Sequence, residues 1–545
     1  MIKKLGKFAG GIIGVGMAFV MLFANQLGAD NNPMWSIKRY IVFSIGIIIF
    51  IISLNYSDDH FLSRILKTFT RHFRFALISV GFGVLVIYIW FVSIGLWTHW
   101  PNETSYYDML ATSFSHGQIA LEVQPDPALL TLGNLYDPNS RVGIPMLWDA
   151  TLFQGKYYLY WGPAPALFLT LVKEFYSAEI GDKPITFAFA VGTFVFMSLL
   201  LLDLWKKYFP EAPHWVILAG IAFAGLVNPI PYILIEARIY EAAIISAQFF
   251  LVIGLYCLFI AFNRHSTISL SLAGSFFALA VGTRTTLALP VAFLSFVVLL
   301  WTLKTRRDLV FTTLLTFALP LALGAISYSW YNYTRFGSII EFGLRYQLTS
   351  YNLYESLDQT FSLAYIPPNL FKTLFNTLEQ RVTFPYFFPT RWAGPAWLEG
   401  NYPSFYLLFA ESITGILVSS PFMVFALLVG LNRDKTFRWI SFALSGSAIL
   451  IFFTLQIFFF TTMRYLLDLV PTLSILAVVG FWQGLIQLKN YPFFRWILAA
   501  LGIVLILYTI AISLLLPVSG HLEAFRVFNP DLLKNMTWMF NNVIK

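Results

Sequence analysis

Three acids and three arginines in an otherwise oily chain mark where chemistry could occur. Asp108 stands in "YYDMLATSFSHGQ", Asp149 in "LWDATLFQGKYYLYWGPAPAL" and Glu241 in "IEARIYEAA". Arg284, Arg335 and Arg464 stand in "VGTRTTL", "YNYTRFGS" and "TMRYLLDLVP". A guanidinium presents a planar fork that meets phosphate oxygens two at a time. A carboxylate beside it could take the proton of an incoming hydroxyl as general base. Positive charge would then stabilise a phosphate as it departs. The chemistry this set suits is group transfer from an anionic, phosphate-bearing lipid, with Lys156 and Arg345 as further phosphate contacts. Tyr157, Tyr158, Tyr160 and Trp161 would frame a sugar or the neck of such a lipid, although such rings at a membrane boundary also form a plain interfacial belt. A competing account makes the charges structural, Arg335 pairing with Glu341 and Arg464 with Asp468, four residues on.

The elements that must position these residues are membrane helices. Of 545 residues, 58% are hydrophobic and 11% charged, against about 25% charged in a soluble domain. Apolar runs near the length of a bilayer crossing recur along the chain. The net charge of +8 belongs to topology rather than to nucleic-acid binding, because no basic stripe interleaves with an exposed domain. Cys257 is the only cysteine, which excludes a disulfide framework and a cysteine metal site. No HExxH, P-loop, G-x-S-x-G or dinucleotide fingerprint is present. His116 is the one histidine placed to be considered as a ligand. The start, "MIKKLGKFAGGIIGVGMAFVMLFA", has no convincing cleavage site and reads as a retained first helix rather than a signal peptide.

The apolar runs predict about thirteen crossings: Phe8–Ala24, Tyr40–Leu54, Phe75–Trp97, Ile185–Leu202, Trp215–Ile235, Ala242–Phe262, Ser266–Thr283, Thr285–Leu303, Leu309–Trp330, Ser412–Leu431, Trp439–Met463, Leu469–Leu488 and Trp496–Leu516. Alternate walking puts the basic clusters at Lys3/Lys4/Lys7, Arg64–Arg74, Lys206/Lys207, Lys304–Arg307, Arg433–Arg438 and Lys489/Arg495 on one side, the cytoplasmic one; Lys38 and Arg39 are exceptions. The N-terminus is then inside and the C-terminus outside. Trp161–Val172 is too short to cross, at roughly 18 Å against a hydrocarbon core of roughly 30 Å. It reads as a re-entrant or interfacial helix entered through Pro163 and Pro165. Two large outer loops remain, 98–160 and 331–411.

These motifs together carry a resemblance. A long acidic first outer loop, a short proline-led helix and an R-Y-x-x-D-x-x-P segment near the end resemble the GT-C superfamily, integral-membrane glycosyltransferases that use polyprenyl-phosphate sugars. More narrowly, "LYDPNSRVG", "WDATLFQGKYYLYWGPAPAL", "IYEAA", "GTRTT" and "RYLLDLVP" resemble a bacterial group of GT-C-like membrane proteins of mostly unassigned substrate. The resemblance covers about residues 75–490, the transmembrane core; residues 1–74 add two helices and a basic loop, and 491–545 a last helix and an external tail. It implies an all-α polytopic fold with interfacial helices in the outer loops. It also implies a plasma (inner) membrane location with the site facing outward, and transfer of a sugar from a polyprenyl-phosphate donor to an extracytoplasmic acceptor (a cell-envelope glycan, lipid or protein). A flippase of a lipid-linked sugar and an inactive scaffold are the alternatives. The family keeps an essential acid in the first outer loop and often a second in a later one. Asp108 or Asp149 fits the first, and Glu241 fits the second. Asp108 lacks the frequent neighbouring acid, so the base is open between Asp108 and Asp149. No cofactor is implied outright; a divalent cation is possible.

Overall fold

The computed structural model describes residues 12–18, 20, 21, 24, 37–54, 72–305, 307–399, 405–430, 434–520 and 523–543. The chain is predominantly helical. In order, the helices used below are α1 (Ile37–Leu54), α2 (Phe73–Val92), α3 (Tyr106–Ser115), α4 (Ala164–Lys173), α5 (Asp182–Tyr208), α6 (His214–Leu226), α7 (Ile230–Ile235), α8 (Ile239–Arg264) and α9 (Thr267–Val281). They continue with α10 (Ala288–Thr305), α11 (Val310–Phe336), α12 (Ile366–Phe375), α13 (Lys435–Gln456), α14 (Val470–Gln487), α15 (Pro492–Leu515) and α16 (Pro530–Val543). A hairpin of β1 (Thr151–Phe153) and β2 (Lys156–Tyr158) lies in the first large loop. A second, β3 (Leu378–Gln380) with β4 (Phe387–Pro389), lies in the other.

Among the described residues, eight helices are long and apolar enough to cross a membrane: α2, α5, α8, α10, α11, α13, α14 and α15, several with short 3-10 extensions. The protein is an integral membrane protein on that ground. The expected crossing Phe8–Ala24 lies partly outside the described residues. Trp215–Ile235 divides into α6 and α7 around Asn228 and Pro229, since proline lacks the N–H that would continue the ladder. Ser412–Leu431 is likewise a short helix, Ile416–Ser419, followed by a 3-10 stretch from Pro421. α9 is a single helix of 15 residues.

Two helices sit at the centre. The apolar windows of α8 and α14 are each 83% buried, whereas that of α11 is only 11% buried. A helix apolar all round has nowhere stable to sit except inside a bundle or against lipid, and α8 is enclosed by α5, α9 and α13. α11 presents Phe311, Leu315, Leu319, Leu323 and Ile326 outward, as a lipid-facing helix should. α5, of 27 residues, spans roughly 40 Å. Its first turn meets Thr104 and Tyr106 of the first large loop, and its last carries Lys206 and Lys207. Lys489 pairs with Glu211 at 2.8 Å just beyond that far end. The large loops and these lysines therefore occupy opposite ends of the bundle.

Candidate functional site

Asp149 sits where two loops are sewn together. Its backbone N–H donates to Leu348 O at 2.9 Å, Leu348 N–H donates to Ala150 O at 2.9 Å, and the Gln347 amide donates to Asp149 O at 3.0 Å. The Thr151 hydroxyl donates to Gly343 O at 3.0 Å. Residues 343–348 thus dock edge-on against 149–151, ahead of a hairpin that Gln154 and Gly155 close. Both turn residues have positive φ, 49° and 73°, the twist a two-residue hairpin prefers. Asp149 itself has φ +59°, a left-handed conformation that costs an L-residue about 1 kcal/mol and that aspartate tolerates better than most. The strain is held by the bonds on either side of it. It aims the carboxylate into a cleft.

That cleft, about 290 Å³, is lined among others by Trp148, Asp149, Tyr160, Tyr240, Glu411 and Arg464. The Tyr240 hydroxyl donates to Asp149 Oδ2. Asp149 Oδ1 is buried and has no hydrogen-bond partner of good geometry among the described residues. Desolvation pushes the carboxyl above the usual carboxylate range, against the pull of the Thr349 and Tyr240 hydroxyls and of Arg464 and Arg238. The Tyr240 ring lies beneath two guanidinium groups, Arg464 at 4.9 Å and Arg238 at 5.1 Å, and packs edge-on to Trp161 at 5.4 Å. One phenol therefore touches the acid, both cations and the indole.

The arginines are more committed than their spacing suggests. Arg464 Nη1 and Nη2 donate to the two oxygens of Glu411, 2.7 Å each, and the Thr462 hydroxyl donates to Glu411 at 2.5 Å. Asp468, the expected partner of Arg464, instead accepts from Arg284 at 2.8 Å and from the Gln248 amide at 3.5 Å. Arg335 is buried: Nη1 donates to Leu159 O at 2.7 Å, Nη2 donates to Asn332 Oδ1 at 2.6 Å, and the plane covers Tyr331 at 3.9 Å. Glu341 meanwhile accepts from Gly343 N. The pairings Arg335–Glu341 and Arg464–Asp468 are thus both replaced. The Nε–H groups of Arg284 and Arg464 are buried without a hydrogen-bond partner among the described residues, leaving each one donor in hand; that of Arg238 lies 3.9 Å from Glu241 Oε2.

The other expected site residues scatter. Glu241 is buried at the start of α8 and closes a capping box with Arg238, accepting its backbone N–H at 3.1 Å; it does not line the cleft. Asp108 pairs with Lys173 of α4 at 2.7 Å, which clamps α3 to α4. Lys156 is exposed at the hairpin tip and Arg345 is exposed, so neither reaches the cleft. Tyr157 and Tyr158 are buried, Tyr157 receiving Leu147 N and Tyr158 packing on Phe336. Only Tyr160 of that group lines the cleft, with Trp161 buried behind it. His116 pairs with Glu122 on the surface. Glu411 and Tyr240 carry the cleft's polar wiring and are absent from the sequence-derived set. The one signal for Glu411 is a lone acid in the apolar run "FYLLFAESITG".

A second cavity, about 740 Å³, is mainly apolar, with Gln118, Ser275, Ser327 and Tyr328 among its lining. α4, α9 and α11 supply it, through Leu167, Ala278, Leu279, Pro320, Leu323 and Trp330 among others. The two spaces share a wall: Tyr160 borders the cleft, and Pro163 and Ala164 border the groove. That wall is stitched to the end of α9, Gly162 N to Thr283 O at 3.0 Å and Ala164 N to Gly282 O at 3.3 Å. A Cβ on Gly162 would meet Gly282 O at 2.0 Å, so only glycine permits this approach.

A divalent cation finds a poor donor set here. Among the described residues no three of His, Cys, Asp and Glu gather. Of the cleft's two lining acids, Glu411 is engaged by Arg464 through both oxygens, and a hard cation needs several such oxygens.

No protein-family model matches the sequence, and no curated protein sequence does. Among solved structures the chain is similar to the oligosaccharyltransferase of Archaeoglobus fulgidus in its apo form, at 15% identity and a TM-score of 0.43, over 82% of this chain and 56% of that one. It is also similar to ArnT from Cupriavidus metallidurans bound to undecaprenyl phosphate, at 13% identity and a TM-score of 0.42, over 81% of this chain and 77% of that one. The chain spans little more than half the length of the oligosaccharyltransferase.

Proposed function

We propose that this chain is a multi-pass membrane glycosyltransferase that moves a sugar from a polyprenyl-phosphate donor to an acceptor on the outer face of the plasma (inner) membrane. The observation that supports it is one shared segment: Tyr160 lines a small polar cleft, and Pro163 and Ala164, a few residues on, line a larger and mainly apolar groove. A ligand with a polar head and an oily chain is the class such a pair suits. The donor's sugar and phosphate would occupy the cleft and its isoprenoid chain the groove.

In the reaction, an acceptor hydroxyl oxygen attacks the anomeric carbon while its proton passes to Asp149 Oδ1. The bond from that carbon to the phosphate oxygen breaks, and the phosphate leaves with the electron pair. Arg464, whose buried Nε–H has no hydrogen-bond partner among the described residues, faces the charge that develops, and Arg238, ion-paired through Nε to Glu241 at 3.9 Å, stands beside it. Fixed donors in a water-poor site are worth more than in water. Glu411 competes with the phosphate for Arg464, so donor entry involves an exchange of one anion for another. Asp149 is the base in this reading; Asp108, clamped by Lys173, positions α4. The core that performs this is residues 75–490, with the N-terminus in the cytoplasm and the C-terminal tail outside.

Protein reconstituted with radiolabelled polyprenyl-phosphate sugars and envelope acceptors tests the proposal. Transfer of label to an acceptor is expected. Movement of the donor between leaflets without transfer would make the chain a flippase, and binding with neither would make it a scaffold.

A further inference from the structure

α16 presents side chains outward on a surface that neither cleft nor groove includes. It follows α15 and the 3-10 turn Leu516–Ser519 closely, and it is pinned to the loop end of the bundle. The Asn529 amide donates to Ile94 O at 2.9 Å, Asn541 Oδ1 accepts from Phe384 N at 2.9 Å, and the Phe540 ring stacks on Phe384 at 4.8 Å. Phe528, Leu532, Leu533 and Met536 pack inward on the core. On the outward side Trp538 is 70% exposed, Val527 63% and Met539 47%. Water is a poor medium for such a patch. α15 has just left the apolar layer, so the medium here is the boundary between hydrocarbon and water, where tryptophan and amphipathic helices settle.

The same face carries an open groove of about 570 Å³ whose lining includes Arg526, Leu533, Lys534, Trp538, Asn541 and Asn542. Among the described residues, no lining residue is acidic. Arg526 pairs with Glu523 at 2.8 Å, but both side chains are mostly exposed, 74% and 60%. A pair so exposed is weak and readily exchanged for another anion. Two cations beside an indole and two amides match a phosphate head group with its glycerol at the membrane surface.

We propose that this face is a seat for an anionic phospholipid of the leaflet on the cleft's side of the membrane, its phosphate held by Arg526 and Lys534 and its upper chains against Trp538, Met539 and Val527. The occupant is bulk lipid, not the proposed donor, since this groove shares no lining residue with the cleft or the apolar groove beside it.

The test uses the full chain in vesicles. Trp538→Cys in a Cys257→Ala background is labelled with an environment-sensitive fluorophore and reconstituted in phosphatidylglycerol and, separately, phosphatidylcholine. A blue-shifted emission, quenched by lipids brominated near the head group and shielded from aqueous iodide, is expected in both. Native mass spectrometry then compares retained phosphatidylglycerol between wild type and Arg526→Gln/Lys534→Gln. Roughly thirtyfold weaker retention is expected for the variant, from about 1 kcal/mol per cation, with phosphatidylcholine unaffected. Free iodide quenching at position 538 would overturn the placement at the interface. Undiminished phosphatidylglycerol retention in a variant whose melting temperature is unchanged would overturn the head-group seat.

Discussion

The cleft and the groove beside it are built on opposite principles. In the cleft almost every charge is already answered: Arg464 by Glu411, Arg238 by Glu241, and behind them Arg284 by Asp468. Asp149 is the lining acid met by the hydroxyls of Tyr240 and Thr349, with Oδ1 lacking a hydrogen bond of good geometry among the described residues. In the groove no charged side chain is among the lining residues described; hydroxyls of Ser275, Ser327 and Tyr328 and the Gln118 amide interrupt a mainly apolar wall, and small residues let the helices that carry it approach closely. A Cβ at Gly324 would meet Ala278 at 2.5 Å, and one at Gly274 would meet Phe317 O at 2.2 Å. Close approach through small residues is how membrane helices pack without a hydrophobic drive. The cleft is thus specified by valence and the groove by volume. Mutations should therefore act on the cleft through protonation and charge, and on the groove through size.

The largest effect should come from removing the cleft's open valence. Asp149→Asn preserves shape and is expected to lower the transfer rate by about 10²–10⁴-fold, with donor binding retained in a lipid pull-down. Transfer at the wild-type rate would move the base elsewhere. Next is the groove. Ser327→Phe places a ring in its mouth from α11 and should weaken a long-chain donor about tenfold, a cost of one or two displaced methylenes. A donor shortened to farnesyl length should be affected much less, and equal losses for the two chains would separate groove from donor. A smaller change is expected for Tyr240→Phe. Removing the hydroxyl takes away a bond that favours the charged carboxylate, so Asp149 ionises at higher pH. The acid limb of the rate profile should move upward while the plateau at high pH falls little; an unmoved limb would detach Tyr240 from the base. The smallest is Lys156→Gln. At an exposed hairpin tip it should leave donor affinity and melting temperature unchanged, and a clear loss of affinity would bring that hairpin back into the site.

Much of this was legible in the sequence, unevenly. Long apolar runs announce α5, α8, α11 and α15 because a crossing helix needs about 20 such residues. Trp161–Val172 was readable as a helix too short to cross, and α4 is that helix. Asp149 was readable as a candidate from its company of aromatics, glycines and prolines. Its left-handed backbone was not, since that depends on residues 343–348 docking from far along the chain. Partner choice was the hardest part. Arg464 and Asp468 are four apart, which would align them on an α-helix, but Met463–Asp468 is 3-10. With three residues per turn, positions i and i+4 diverge, and each side chain finds its ion partner elsewhere in the chain: Glu411 lies 53 residues from Arg464, and Arg284 lies 184 from Asp468. Tyr240 was hidden for a similar reason: it reads as one more ring in "RIYEAA", and only the fold brings it beneath two guanidinium groups.

Gly162, pressed against the backbone of Gly282, joins the wall of the groove to the strand of chain that carries Arg284. A seam of that kind ties the groove's wall to the segment that packs behind the cleft. Free energy spent on moving that wall from one side is available on the other, and by reciprocity the debt runs both ways. Lengthening the chain of a bound lipid should therefore change the hold on its head group even where no added methylene reaches the cleft, and altering the head group should change the grip on the chain by the same factor.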